Sequence, residues 1–281
     1  MLIGPDSCFC STICWPPNPL LWWPPRLTIL LSGPAAGRFN PLTPMNDPAF
    51  FWLNSVRLAT ILLTLLLAWG TYRSHLLLKE FQPPFNLLLS LPESLLRLLL
   101  VGLCLGLAWL SGLPVARFGL LSPQPLQSIG LGLGVGLVGQ VTVNGLTQWA
   151  IHRFGRKIYS PLVIRNILPR RPAEWVWVAL AFGPAVAMEE LLFRSLWLGL
   201  FQELIPLPLL IGVTSLLFGL MHQPQGLLGV ITAGGLNILL CLLFAGTGEL
   251  LPPLTAHYMI NLLQIVAASR QREWLENYEY H

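Results

Sequence analysis

Residues 175–201 read WVWVALAFGPAVAMEELLFRSLWLGLF, a long apolar run with only three charged side chains, Glu189, Glu190 and Arg194. About 20 mostly apolar residues are enough for a helix to cross a bilayer, so this stretch predicts a transmembrane helix. Apolar length indicates comparable spans elsewhere in the chain. The predicted spans are Phe50–Trp69, Leu95–Leu113, Ile129–Ile151, Trp175–Phe201, Pro206–Met221, Leu227–Phe244 and Leu250–Ala268.

The composition of the whole chain is that of a membrane protein. Only 10% of the residues are charged and 54% are hydrophobic, whereas roughly 25% are charged in an ordinary globular domain. The mean hydropathy is +0.65, which excludes an ordinary water-soluble enzyme. The net charge of +4 is small and scattered, which argues against a nucleic-acid partner. We therefore expect an all-α, polytopic transmembrane helical bundle of about seven to eight spans that contacts membrane lipids.

The chain divides into four expected regions. Residues 1–44 are rich in proline, which breaks helices, and we expect a disordered or mispredicted extension, with Met45 as the biological start. Residues 45–172 hold the N-terminal transmembrane helices and a basic loop. Residues 173–268 hold the span quoted above and the polar motifs that follow it, and residues 269–281 form a C-terminal tail.

The connection from His152 to Glu174 is strongly basic, and Glu174 is its single acidic residue. Its basic residues are Arg153, Arg156, Lys157, Arg165, Arg170 and Arg171. Because cytoplasmic loops carry an excess of Lys and Arg, we expect this loop in the cytoplasm of a multi-pass protein of a bacterial plasma membrane. Strict alternation would place the polar residues of the later spans at unequal depths. A re-entrant or half-length helix between residues 203 and 250 is therefore also compatible with the sequence.

The third predicted span is rich in glycine. Its glycines are Gly130, Gly132, Gly134, Gly136 and Gly139. Small residues at such spacing let helices approach closely in lipid. A phosphate-binding loop would instead require a preceding strand, so the pattern indicates helix packing.

Three charged groups inside one span require a partner or a function, because each charge at membrane depth costs at least about 2.5 kcal/mol. Glu190 and Arg194 are four residues apart on one helix face and can neutralise each other. Their pairing favours a buried polar contact that fixes helix packing. Glu189 lies about 100° around the helix axis and has no obvious partner in its own helix. Glu189 is therefore the candidate reactive carboxylate.

Two further polar motifs follow in the later spans. His222 comes four residues after Phe218, and His257 precedes Asn261 by four residues in an otherwise apolar run. A carboxylate, two imidazoles and a carboxamide provide a base for water and donors for an oxyanion, which are the parts of a hydrolytic site. Three zinc ligands, Glu189, His222 and His257, with water in the fourth position, fit the same residues. The spacing does not separate these two chemistries.

The three motifs together resemble one protein family. Glu189-Glu190-x-x-x-Arg194, Phe218-x-x-x-His222 and His257-x-x-x-Asn261 are similar to the motifs of the CPBP intramembrane protease family. This family includes type II CAAX prenyl endopeptidases and bacterial abortive-infection relatives. The resemblance covers about residues 173–268, which would form a CPBP-like protease core.

The resemblance implies a role for each motif residue. Glu189, with His222, would activate water, while His257 and Asn261 would stabilise the oxyanion. Glu190 would support the site through Arg194, and Phe218 would support His222 as part of the second motif. Because the family has been described both as metalloproteases and as metal-free glutamate proteases, we expect no cofactor and keep zinc as the alternative.

The sequence favours an intramembrane endopeptidase over a non-catalytic membrane protein. The expected substrate is a membrane-associated protein or peptide, C-terminally prenylated in the CAAX case. The alternative is an immunity or scaffold protein, or a small proton-coupled transporter, since intramembrane ionisable residues suit these as well. Transporters often contain two similar halves, and this chain shows no such repeat. It also retains every polar residue of the three motifs, which favours the protease.

Overall fold

The computed structural model describes residues 48–81 and 83–278, and the predicted N-terminal extension lies outside them. Every regular element in this described part is helical. The α-helices are α1, Pro48–Glu80; α2, Leu91–Leu110; α3, Pro125–Phe154; α4, Leu162–Ile167; α5, Glu174–Glu190; α6, Gly199–Phe201; α7, Leu207–Met221; α8, Gly226–Thr247; α9, Leu251–Arg270; and α10, Arg272–Glu276. A π-helical segment, Leu191–Leu198, joins α5 to α6. The all-α prediction is thus confirmed.

Five helices of the described residues are long and apolar enough to cross a membrane. They are Phe50–Glu80, Leu91–Leu110, Pro125–Phe154, Glu174–Phe201 and Gln223–Thr247. Helix α7 is apolar but has only 15 residues, and α9 is not among the five because polar side chains interrupt it. The predicted count of about seven to eight spans is therefore not confirmed, although a helix occupies each predicted span.

Several helix ends differ from the bounds of the predicted spans, among them those of α1 and α3. Helix α1 continues to Glu80, well beyond the predicted end of the span at Trp69, because a helix can extend past the apolar part of its sequence. Helix α3 ends at Phe154, so His152 lies in its last turn and the basic connection begins at Gly155. This glycine has a φ of +84°, a backbone conformation that glycine adopts readily.

Helices α3 and α9 run parallel in close contact along a row of glycines. A Cβ atom at Gly132 would lie 2.5 Å from the carbonyl oxygen of Pro252, and one at Gly136 would lie 2.7 Å from that of Ala256. No side chain larger than hydrogen fits there. Gly130 and Gly134, by contrast, face open space. The close approach predicted from the glycines holds for one face of α3 and not for the other.

The long helices alternate in direction, so three connecting segments meet at one end of the bundle. These segments are residues 81–90, 155–173 and 271–278, and we refer to this end as the basic end. The Asn86 amide donates to the carbonyl oxygen of Ile167 at 3.0 Å, and Arg165 donates to that of Tyr278 at 3.1 Å. The backbone N–H of Ser160 donates to Gln225 at 3.0 Å, which attaches the turn before α8 to the same end.

The helix from α5 to α6 lies at the centre of the fold. Leu192, Phe193 and Leu196 in its π-helical segment are fully buried in the main hydrophobic core. Two arginines bind backbone carbonyl groups near its end. Arg57 on α1 donates to Leu200 at 3.0 Å, and Arg117 donates to Gly199 at 2.7 Å. The central helix is therefore fixed both by apolar packing and by hydrogen bonds to its last turn.

Candidate active site

Helix α5 delivers two adjacent glutamates to the interior of the bundle. Glu189 and Glu190 are its last two residues, roughly 22 Å along the helix from Glu174 at the basic end. The π-helical segment begins at the next residue, Leu191. π-Helical turns are rare and are frequently found at functional sites. Because a π-helix has more residues per turn, this segment rotates the side chains that follow the two glutamates relative to a continuous α-helix.

Glu190 forms a fully buried ion pair with Arg194. The Arg194 Nε atom lies 3.0 Å from Glu190 Oε2, and both side chains are 0% exposed. The pair predicted from the spacing of these residues is therefore present. Because an unpaired charge would be costly at this depth, the two side chains hold each other in place.

His257 on α9 lies between the two glutamates. Its Nδ1 atom is 2.7 Å from Glu190 Oε1, and its Nε2 atom is 3.6 Å from Glu189 Oε2. An ionised carboxylate only accepts hydrogen bonds, so Nδ1 carries the proton that is donated to Glu190. This contact directs Nε2 of the imidazole towards Glu189.

The phenyl ring of Phe218 contacts three of the polar motif residues. Its centroid lies 4.6 Å from the ring of His222 and 6.0 Å from that of His257. The guanidinium carbon of Arg194 lies 5.5 Å from the same centroid. Phe218 is buried and lies against both histidines and Arg194, so it forms one wall of the site.

His222 follows the last residue of α7, and its ring is oriented by its own helix. Its Nδ1 atom lies 2.8 Å from the carbonyl oxygen of Phe218. A carbonyl oxygen only accepts, so Nδ1 is the donor and Nε2 is left unprotonated in the neutral ring. Among the described residues, no ion pair joins His222 to Glu189; the nearest histidine to Glu189 is His257.

Accessibility distinguishes the two glutamates. The side chain of Glu189 is 27% exposed, whereas that of Glu190 is sealed from solvent. Asn261 lies one helical turn after His257 and is half-buried. Within the described part of the chain, its amide has no hydrogen-bond partner, so it is available to a bound group. Glu189, His222 and Asn261 are thus the partly exposed polar residues of the three motifs.

Arg97 is a charged residue near the site that the three motifs do not include. It lies on α2, where its guanidinium is 3.3 Å from Glu93 and donates to the carbonyl oxygen of Leu88 at 3.4 Å. Glu189 lies close enough to act on it electrostatically. An arginine within an apolar span is the signal in the sequence that could have pointed to it.

The predicted zinc ligands do not form a three-ligand group. Over residues 48–81 and 83–278, no three His, Cys, Asp or Glu side chains are arranged to hold a metal ion. Glu189 and His257 face each other, but His222 is not joined to this pair and its Nδ1 is engaged by Phe218. The residues present do not fit a three-ligand zinc site, and we derive no catalytic step through a metal.

The site therefore combines an accessible carboxylate, two oriented imidazoles and an amide without a partner, next to a sealed ion pair. Glu189 can accept a proton, and its Oε2 atom lies 3.6 Å from His257 Nε2, so one water molecule beside the pair can contact both groups. His257 and Asn261 lie on one face of α9 and can both point towards an oxyanion. These are the groups that hydrolysis of an amide bond requires.

Comparison with known protein families agrees with the motifs. Residues 171–263 match the model of the family described as type II CAAX prenyl endopeptidase Rce1-like. This segment includes Glu189, Glu190, Arg194 and the two later motifs, and the match supports the CPBP/CAAX protease family that the motifs indicate. No curated protein and no solved structure matches the chain. The family match and the apolar helices together indicate an integral membrane protein of the CAAX-type endopeptidase class.

Proposed function

We propose that this protein is an intramembrane endopeptidase that hydrolyses a peptide bond in a membrane-associated protein or peptide. The observation that carries the proposal is His257, held between a sealed carboxylate and an accessible one. Glu190, paired with Arg194, accepts the hydrogen bond of Nδ1 and fixes the direction of the imidazole. Glu189 is left free for chemistry. A C-terminally prenylated CAAX protein is the substrate class that the matched family name suggests.

In the proposed reaction Glu189 acts as the general base. A water molecule between Glu189 and the histidines loses a proton to the carboxylate as its oxygen attacks the carbonyl carbon of the peptide bond. His222, whose Nε2 is free to accept, orients that water. The proton then passes from Glu189 to the leaving amine as the carbon–nitrogen bond breaks.

His257 and Asn261 are proposed to stabilise the negative charge that develops on the carbonyl oxygen. The Nε2 atom of His257 faces the accessible Glu189, on the side of the imidazole where a substrate carbonyl would bind. The Asn261 amide adds a second donor, and donors fixed in advance are worth most at the moment when the oxyanion forms.

The same contacts bear on the alternatives. A scaffold or immunity protein would use the buried ion pair but would have no need for an accessible Glu189 opposite His257. A proton-coupled transporter would need a chain of titratable groups across the membrane, whereas these residues are gathered in one cluster. The match to an endopeptidase family also favours the protease.

We further propose that the basic end faces the cytoplasm of a bacterial plasma membrane, as the excess of arginine there predicts. The test uses a chain with its native cysteines replaced by serine and Lys157→Cys introduced as a label site. A membrane-impermeant maleimide should label this variant in inside-out vesicles and leave it unlabelled in intact cells. Labelling of intact cells would reverse the orientation.

The decisive experiment compares purified enzyme with its Glu189→Gln variant. Each is incubated with a membrane-protein library, and the released peptides are identified by mass spectrometry. The wild-type enzyme should release defined peptides and the variant none, because glutamine retains the shape of glutamate but does not accept the proton. The matched control is Glu80→Gln, which changes an exposed carboxylate at the end of α1 and should cleave normally. Equal release by all three proteins would refute the catalytic role of Glu189.

A further inference from the structure

An apolar groove lies between α3 and α8. Its volume is about 1240 Å³. Its walls are lined by apolar side chains and by glycines without neighbours, including Gly130, Gly134, Val138, Leu146, Ile231 and Leu239. A groove of this size and chemistry, open on the outer surface of a bundle, suits an extended hydrocarbon chain.

A polar pocket continues from this groove at the basic end. Its volume is about 560 Å³, and both cavities are lined by Val143, Leu228 and Thr232. Its polar lining includes Asn144, Gln148, His152, Arg156, Gln225 and Gln264. No aspartate or glutamate of the described residues lines either cavity. The pocket thus offers several hydrogen-bond donors and one permanent positive charge, which is complementary to an anion.

Aromatic and basic residues at the end of α3 mark the level of the membrane surface. Trp149 and Phe154 are exposed and contact each other edge to face, and the guanidinium of Arg153 lies 5.4 Å from the Phe154 ring. Exposed aromatic residues beside basic residues are typical of the membrane–water interface. The polar pocket, which Gln148 and His152 line beside these aromatic residues, therefore reaches headgroup depth. The groove begins at the same level, where Trp149 and Phe154 line it, and runs from there along the acyl chains.

We infer that the groove and the polar pocket together bind one anionic phospholipid of the surrounding bilayer. Arg156 and the neighbouring amides hold the phosphate group, and the acyl chains lie along α3 and α8. Basic pockets between transmembrane helices on the cytoplasmic side are suited to anionic headgroups. Neither cavity is lined by Glu189, His222, His257 or Asn261. This separation favours a lipid over the substrate as the occupant.

The proposed site lies next to the elements that carry the candidate catalytic residues. Gln225 follows His222 by three residues, and Gln264 follows Asn261 by three residues on the same helix. A lipid in this position would hold α3, α8 and α9 together from outside. We therefore expect the lipid to raise the thermal stability of the bundle.

Lipid binding is tested on the full purified chain in detergent by native mass spectrometry and by thermal unfolding. Phosphatidylglycerol should bind about five-fold more tightly than phosphatidylcholine with the same acyl chains, as one basic contact predicts. Arg156→Gln should abolish this preference, and Arg156→Lys should retain it. Arg171→Gln removes an exposed charge of the same connection that does not line the pocket, so it should bind like the wild-type protein.

Filling the groove provides an independent test. Gly134→Leu and Gly235→Leu place side chains into open space from opposite walls of the groove, and each should reduce binding of both lipids and remove their thermal stabilisation. Gly102→Leu is the matched control, since Gly102 also faces open space but lies on α2. Equal binding of the two lipids, unchanged binding by the groove variants, or displacement of a farnesylated peptide alone would overturn the proposal. The last result would assign the groove to the substrate.

Discussion

Glu189 and Glu190 are chemically identical neighbours that the fold places in opposite surroundings. Glu190 is enclosed and has two partners, Arg194 and His257. Glu189 is partly exposed, and the Nε2 atom of His257 lies 3.6 Å from its Oε2 atom. A carboxylate enclosed with an arginine and a histidine suits a structural role, whereas one that solvent can reach suits a proton-transfer role. Their different environments therefore separate the two functions within one dipeptide.

Replacing Arg194 with alanine should destabilise the protein. Glu190 would then be a buried charge without its cation, at a cost of about 3–5 kcal/mol. We expect a low yield of folded protein and a lower thermal midpoint in detergent. The control is Arg153→Ala, which removes an exposed arginine and should behave like the wild-type protein. A normal yield for Arg194→Ala would show that the ion pair contributes little.

Replacing Asn261 with alanine should reduce kcat about 10²–10³-fold, the loss seen when one oxyanion donor is removed. KM should change little, because the contact forms mainly in the transition state. Steady-state kinetics on a cleavable peptide measures both constants. Asn277→Ala, an exposed position near the C-terminus, is the control. A higher KM with unchanged kcat would make Asn261 a substrate-binding residue instead.

Treatment with a chelator should leave activity unchanged, and elemental analysis should find well under one zinc per chain. Zinc ligands must be deprotonated, so binding would depend on pH and would respond to chelators. The metal-free reaction has no such requirement. Activity that is lost on chelation and restored by zinc would contradict the metal-free mechanism and would identify Glu189 and His257 as ligands.

At the residue scale the sequence predicted contacts within a helix better than contacts between helices. The spacing of Glu190 and Arg194 was sufficient, because residues four apart share a face. The contact of His257 with both glutamates depends on how α5 and α9 are rotated and how far apart they lie. The resemblance associates Glu189 with His222, while the structure places His257 nearest to it. The spacing of residues along the chain does not determine how two helices are rotated against each other, so it does not predict this contact.

At the scale of elements, the apolar runs located the long helices but not their ends. Helix α1 continues to Glu80, eleven residues past the predicted end of its span at Trp69. Hydropathy indicates only the part of a helix that contacts lipid, and the helix itself can continue beyond the membrane. The π-helical segment Leu191–Leu198 was not predicted, since its residues are compatible with an ordinary α-helix. It arises from packing around the central helix and is visible only in three dimensions.

The two glycine faces of α3 should respond differently to the same substitution. Gly136→Ala would place a Cβ atom 2.7 Å from Ala256 O and 2.9 Å from Met259 Cβ, so α9 must shift, at a cost of about 1–3 kcal/mol. Gly134→Ala enters open space and gains up to about 1 kcal/mol in helix propensity. Thermal midpoints in detergent should therefore fall for the first variant and stay level or rise for the second. The same fall in both variants would contradict the difference in packing between the two glycine faces of α3.

At the scale of the whole molecule, the basic end is a connected layer that holds the helices at their ends. Hydrogen bonds join the connection before α2 to the one before α5, and the latter to the C-terminal segment. Residues far apart in sequence thus fix the depth at which α5 and α9 present their polar groups. The candidate site depends on this layer, although none of its motif residues lies in it.

Helix α7 is shorter than the five membrane-spanning helices, and its length affects the supply of water to the site. Its 15 residues extend about 22 Å, less than the roughly 30 Å of the hydrocarbon layer. The ring of His222 packs on Phe218, which also contacts His257, and His257 lies about 20 Å along α9 from the end of that helix at Arg270. The turn at His222 therefore lies below the membrane surface. Hydrolysis consumes one water molecule per turnover, and this depression shortens the path that each molecule must take. A thicker bilayer lengthens that path, so turnover should decline as the acyl chains of the host membrane become longer.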